Sequence, residues 1–244
     1  MKRSIVFYLL FLLPGVSRAQ FLKQCHPLIG ATRDISEKND SIWQRINRTY
    51  DTPPEARDSI QKYYAADEDA MLFDDPWLSM VGMGCSWYCG GTVDTIIANT
   101  SRNAPDSIGW DANALHDFDL RTCWMEGRKG KGRGAKVTFW FPANSATVTI
   151  VEIFNGDMRT LATWRKNGRV RKLKVYADDR PVALLHVRDT VASQRFEIGE
   201  FSTKDKPLRL TFEIRKVYKN RKTNDTAISE INFDGTDSHG YLVE

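Results

Sequence analysis

The sequence predicts a mainly β protein: an antiparallel β-sandwich of seven or eight short strands behind a short helical N-terminal extension. Three observations lead there. From about residue 84 onward, short runs rich in Val, Ile, Thr, Phe and Tyr alternate apolar with polar residues. Gly, Asn, Asp or Pro punctuates the gaps between these runs. No long helical pattern separates them, and no Gly-rich phosphate loop stands between a strand and a helix, which disfavours a nucleotide-binding α/β fold.

The elements follow in order. Residues 1–20, "MKRSIVFYLLFLLPGVSRAQ", carry Lys2 and Arg3, an apolar run from Ile5 to Leu13, the break Pro14-Gly15 and small residues before position 20. That is the pattern of a secretory signal peptide. The apolar run is too short to span a bilayer comfortably, and no later segment approaches a membrane span. The expectation is a secreted or periplasmic protein.

Residues 21–80 form the helical N-terminal extension. "SIWQRINRTY" places Ile42, Trp43, Ile46 and Tyr50 at helical intervals behind a Ser41 cap. "PPEARDSIQKYY" opens a second helix, with Pro54 in its first turn. The sandwich spans residues 84–240. Its strands read as "AKVTFWF", "ATVTIVEIF", "RVRKLKVYA", "PVALLHV", "QRFEIGEF", "LRLTFEIRKVY" and "TAISEINF", with "YADDRPV" as a hairpin turn.

Charge and cysteines narrow the function. The whole chain is +4, and the signal segment holds three cations and no acid, so the remainder is about +1. A nearly balanced chain argues against a nucleic-acid partner. The basic run "GRKGKGRG" at 127–134 reads as a solvated loop. Cys25, Cys85, Cys89 and Cys123 permit three full disulfide pairings in an oxidising compartment, and the spacing leaves a local Cys85–Cys89 bridge open. The four histidines are too scattered for a zinc site.

Residues 114–124, "ALHDFDLRTCW", concentrate the polar chemistry of the chain. Asp117, Asp119 and Thr122 offer the oxygens a hard cation wants, although the spacing is not that of an EF-hand. Cys123 beside His116 and Asp117 invites a thiol-nucleophile reading. Packing at a strand start explains that cysteine more cheaply. Sugar recognition needs aromatic faces with Asn, Asp and Arg around them. Two Gly-containing loops meet this need: "FNGDMR" with Asn155 and Arg159, and "WRKNGRV" with Trp164, Asn167 and Arg169.

The stretch at 114–124 resembles the motif of discoidin-type, galactose-binding-like jelly rolls, in which an Ala precedes Asp-Gly-Asp and Thr-x-Trp. "WYCGGTVDTIIANTSRN", the Asn155-Gly156 pair, the segment 164–176 and "DTAISEINFDGTDSH" follow in the order seen in the NADase-type glycan-binding domain, which the chain resembles over about residues 84–239. The resemblance implies a discoidin-like, eight-stranded antiparallel jelly-roll β-sandwich and an exported, non-catalytic glycan-binding module without a glycohydrolase domain. It also implies a structural calcium held by Asp117, Asp119, Thr122 and Glu230. Phe118 departs from the family, which usually has glycine there. The alternatives are a secreted hydrolase acting through residues 116–123 and a protein-binding adhesion module.

Overall fold

Alternating side chains dictate two-sided strands, and two-sided strands need a second apolar layer to cover them. The structure, a computed structural model, describes residues 22–50, 75–79, 86–103, 110–218 and 223–236. The strands are β1 (Lys23–Cys25), β2 (Leu28–Thr32), β3 (Thr95–Ala98), β4 (Trp124–Met125), β5 (Lys136–Phe141), β6 (Thr147–Asn155), β7 (Gly168–Ala177), β8 (Arg180–His186), β9 (Ala192–Phe201), β10 (Leu208–Val217) and β11 (Thr226–Thr236). Two helices are described, α1 (Glu37–Tyr50) and α2 (Leu161–Lys166).

One layer runs β3-β5-β10-β7-β8-β1 and the other β2-β9-β6-β11-β4. A short parallel pairing, Thr226 with Gly168 and Ala227 with Arg169, joins them. The protein is therefore the mainly β sandwich expected. All seven runs quoted above are strands, and Asp178 and Asp179 both take positive φ (46° and 72°) in the β7–β8 turn, as a two-residue hairpin demands.

The strand number differs from eight: eleven are present among the described residues. Four short strands carry too few residues to display a period, and β2 is exposed along its whole length. Two of them, β1 and β2, correct the N-terminal extension. Residues 23–32 extend the two layers by pairing with β8 and β9 instead of forming helix. The helix around Trp43 does exist, but it starts at Glu37, and Ser36 rather than Ser41 receives the Asn39 amide at 3.5 Å. The signal segment and the second expected helix lie outside the described residues, as does Cys85.

The core lies between the layers. Val137, Phe139, Leu173, Val175, Leu210 and Phe212 from one meet Val148, Val151, Ile153, Phe196, Ile231 and Phe233 from the other. Phe233 anchors this contact, with Phe141 at 4.8 Å and Phe139 at 5.0 Å between ring centroids. Such offset and edge-on pairs each add about 1 kcal/mol to the area they bury. A second cluster of Ile35, Trp77, Leu120, Phe154 and Met158, flanked by Trp43 and Trp164, ties the N-terminal segment to the loops of interest.

Candidate functional site

The 114–124 stretch is a curled loop entering β4. A single 3-10 turn, Asn113–Leu115, starts it, and Leu115 and Leu120 are buried to pin its two sides. The segment 75–79 locks it from outside. The Leu120 amide donates to the Trp77 carbonyl at 2.7 Å, and the Ser79 amide donates to the Phe118 carbonyl at 3.0 Å. Trp77 is fully buried, and its indole N–H donates to the Met158 carbonyl at 3.1 Å.

Phe118 takes φ 63°, the left-handed conformation for which glycine is favoured. Its ring packs edge-on against Tyr88 at 5.2 Å and beside His116 at 5.0 Å. Aromatic packing offsets a backbone cost of about 1 kcal/mol, so the loop keeps its shape without the family's glycine.

Inside the curl, oxygens gather. The Thr122 hydroxyl lies 2.7 Å from Asp117 Oδ2, 3.0 Å from the Asp119 carbonyl and 3.5 Å from the Ala114 carbonyl. Glu230, on β11, is completely buried, and neither of its carboxylate oxygens has a well-formed hydrogen bond among the described residues; His116 Nδ1 lies 3.9 Å from Oε1. Burial, then the negative fields of Asp117 and Asp119, holds its carboxyl well above the usual range; the Phe118 amide and the Ser79 hydroxyl favour the charged form. Burial also raises Asp117, opposed by Thr122 and the Asp119 amide.

Among the described residues no three His, Cys, Asp or Glu side chains converge as a metal cluster. The donor set is mixed instead, and it fits a hard cation through oxygen chemistry. The role of Asp119 changes within it. Its Oδ1 accepts the Arg121 side chain at 2.8 Å, and its carbonyl accepts the Thr122 hydroxyl at 3.0 Å. Arg121, unassigned from sequence, also pairs with Asp75 and lies 3.8 Å over the Trp43 ring. A cation that touches residues from three separate segments leaves no local signal in the sequence.

The nucleophile reading loses its chemistry here. Cys123 is 1% exposed, and burial pushes its thiol well above the ordinary value. His116 hydrogen-bonds the Ile231 carbonyl at 2.9 Å, and burial lowers its imidazole pKa. The thiolate is disfavoured, and His116 stays a neutral imidazole whose Nδ1 is committed to a backbone carbonyl and not to the thiol.

The expected sugar patch is also rewritten. Asn155 is fully buried: its amide donates to the Val170 and Arg188 carbonyls at 2.8 and 3.1 Å, and its oxygen accepts the Val170 amide at 2.9 Å. Asn167 is buried and donates to Asp157 at 2.9 Å. The Asn155 side chain bridges β6 to β7, and the Asn167 side chain ties the end of α2 to Asp157. Trp164, Arg159 and Arg169 stay partly exposed, but they are mutually engaged. The Trp164 indole donates to the Asn155 carbonyl at 2.8 Å, Arg159 pairs with Asp157 at 3.2 Å, and Arg169 pairs with Asp189 at 2.5 Å. The five residues are brought together as a buttress at one end of the sandwich. Their spacing in sequence could not reveal this, because Asp157 and Asp189 lie in two different loops and the carbonyls come from β6, β7 and the loop after β8.

A jelly-roll sandwich closed by this loop is a discoidin-like domain of the binding-module class. Residues 87–234 match the family model described as the NAD glycohydrolase translocation F5/8 type C domain, and the chain belongs to that family. No curated protein matches it. Among solved structures it is similar to the CBM32-1, CBM32-2 and M60 catalytic domains of Clostridium perfringens ZmpB, with 18% identity and a TM-score of 0.45 over 62% of this chain and 14% of that one. It is also similar to the ZmpB CBM32-1 and CBM32-2 domains in complex with GalNAc (18%, TM-score 0.44, 58% and 33%). A third is a GH31 CBM32-2 bound to GalNAc (16%, TM-score 0.40, 59% and 99%). The chain spans only a small part of the ZmpB chains it resembles.

Proposed function

We propose that this protein is an exported, non-catalytic carbohydrate-binding module. Family membership over residues 87–234 is the observation that supports this most. The chemistry of the 114–124 loop supports the non-catalytic part: its thiol is buried and its histidine is committed to a backbone carbonyl. Export rests on the signal-like segment 1–20.

A structural calcium is part of the proposal. Asp117, Thr122 and Glu230 would hold it, with the Ala114 and Asp119 carbonyls. It would neutralise the buried Glu230 and tie the loop to the last strand. The Asp119 side chain is left to Arg121.

A glycan array read with the folded protein, in calcium and in chelator, tests the function. Saturable binding to at least one glycan class is expected. Failure to bind any glycan, with the fold intact by circular dichroism, would sink it. Turnover of NAD or of a glycoside would sink the non-catalytic part.

A further inference from the structure

Beside the Trp164 buttress, along the same strand as Arg169, lies a small cleft of about 230 Å³. Six of its lining side chains are His26, Arg171, Lys172, His186, Arg188 and Tyr218, and among the described residues that line it there is no carboxylate. Asp189, next to Arg188 in the chain, has its carboxylate forked by Arg169. Among the described residues Arg171, Lys172 and Arg188 have no acid at 4.0 Å or closer, and each faces solvent or the cleft.

The local backbone is built to produce this. The β7–β10 register shifts so that Lys172 faces Lys216 while Val170 faces Val217, which leaves Arg171 as the extra residue. A bulge of this kind turns two successive side chains outward. Lys172 also faces His186 on the other side. Lys172 and Lys216 are like charges in register, which destabilises a sheet unless something neutralises them, and His186 adds a hydrogen-bonding ring beside them. The imidazoles of His26 and His186 stack at 4.5 Å and 21°, and His186 Nε2 lies 2.8 Å from Gln24 Oε1. Burial, then Lys172, His26, Arg188 and Arg171, lowers the His186 pKa. The Tyr218 hydroxyl donates to the Val187 carbonyl at 2.8 Å, and its ring lies 5.7 Å from the Arg171 guanidinium.

A concave surface of one sign focuses its field on a counter-ion. Donors approach here from β7, from the end of β8 and from the turn after β1. That arrangement suits an oxyanion with oxygens pointing several ways better than a planar carboxylate, which one guanidinium can satisfy. We propose that this cleft binds a sulfate or phosphate group, carried in the working protein as an ester on a glycan. The anion site stands on its geometry alone; its being carried by a sugar rests on the carbohydrate reading above.

The test is calorimetric titration of the protein with sodium sulfate and inorganic phosphate, and with a sulfated disaccharide and its unsulfated parent, at constant ionic strength. NMR of the His26 and His186 ring protons runs in parallel. Anion-dependent shifts at both histidines and preference for the sulfated sugar are expected. Lys172→Gln and Arg188→Gln should each weaken binding about tenfold, the loss of one charge-assisted partner. Both side chains reach solvent, so the variants fold. Lys129→Gln, at an exposed position of the 127–134 loop, should change nothing; an equal loss there would mean diffuse charge attraction and overturn the site. Inorganic anions bound without any glycan support the cleft and count against the carbohydrate reading. A neutral glycan bound equally by wild type and Arg188→Gln, with histidines indifferent to sulfate, keeps that reading and overturns the cleft.

Discussion

Arg169 lays its guanidinium 4.3 Å from the Trp164 ring and donates to the Trp164 carbonyl at 2.7 Å. One arginine thus covers an aromatic face and caps the end of α2. An aromatic residue flanked by Asn and Arg reads in sequence as a sugar platform. In the fold it is a brace between α2 and β7, and stability measurements separate the two roles. Arg169→Ala loses the bonds to Trp164, Asn167 and Asp189 and should cost about 2 kcal/mol in urea denaturation, most of it from unsatisfied carbonyls.

Asn155 should be less forgiving. Asn155→Ala strands the buried Val170 amide and carbonyl, while the Arg188 carbonyl keeps the Gln194 amide at 3.1 Å. A loss of about 3 kcal/mol is expected. An unchanged midpoint would mean that the Asn155 bonds add nothing net.

Phe118 separates backbone from side chain. Phe118→Ala keeps the left-handed cost and loses the contacts with Tyr88 and His116. Phe118→Gly loses the same contacts but relieves the backbone. Both should be less stable than wild type, with Gly above Ala by about 1 kcal/mol. Equal stabilities would show that the backbone carries no strain.

Calcium should raise the thermal midpoint and a chelator should lower it, since a ligand of the folded state alone stabilises that state. Glu230→Gln and Asp117→Asn should abolish the difference. A midpoint blind to calcium in the wild type removes the ion from the proposal.

Glu213 gives a pH signature. Burial alone would raise its carboxyl, but the Tyr176 hydroxyl at 2.5 Å, Arg215 at 2.8 Å and the field of Lys136 together lower it. A depressed carboxyl contributes stability above its unfolded pKa and loses it as pH falls through the folded one. The gap in midpoint between wild type and Glu213→Gln should therefore be full at neutral pH and close below about pH 4. Tyr176, pushed up to about 12 by burial and by Glu213, stays neutral and donating over that range.

Much of this molecule is legible in its residues. The strands β5 to β11 are long enough to alternate, and Asp178-Asp179 announces its own turn, because both signals are local to the backbone. The oxygen loop is legible in part: Asp117 and Thr122 stand where their spacing suggests, while Arg121 takes the Asp119 side chain. Alternation and turn chemistry by themselves determined a β-sandwich with a polar loop before β4. Tertiary structure alone decided what the polar groups do. Asn155 became a strand bridge, Trp164 a brace, and Arg171 and Lys172 the wall of a cleft. A hydrogen bond is assigned by whichever partner packing delivers within about 3 Å, and those partners come from distant segments of the chain.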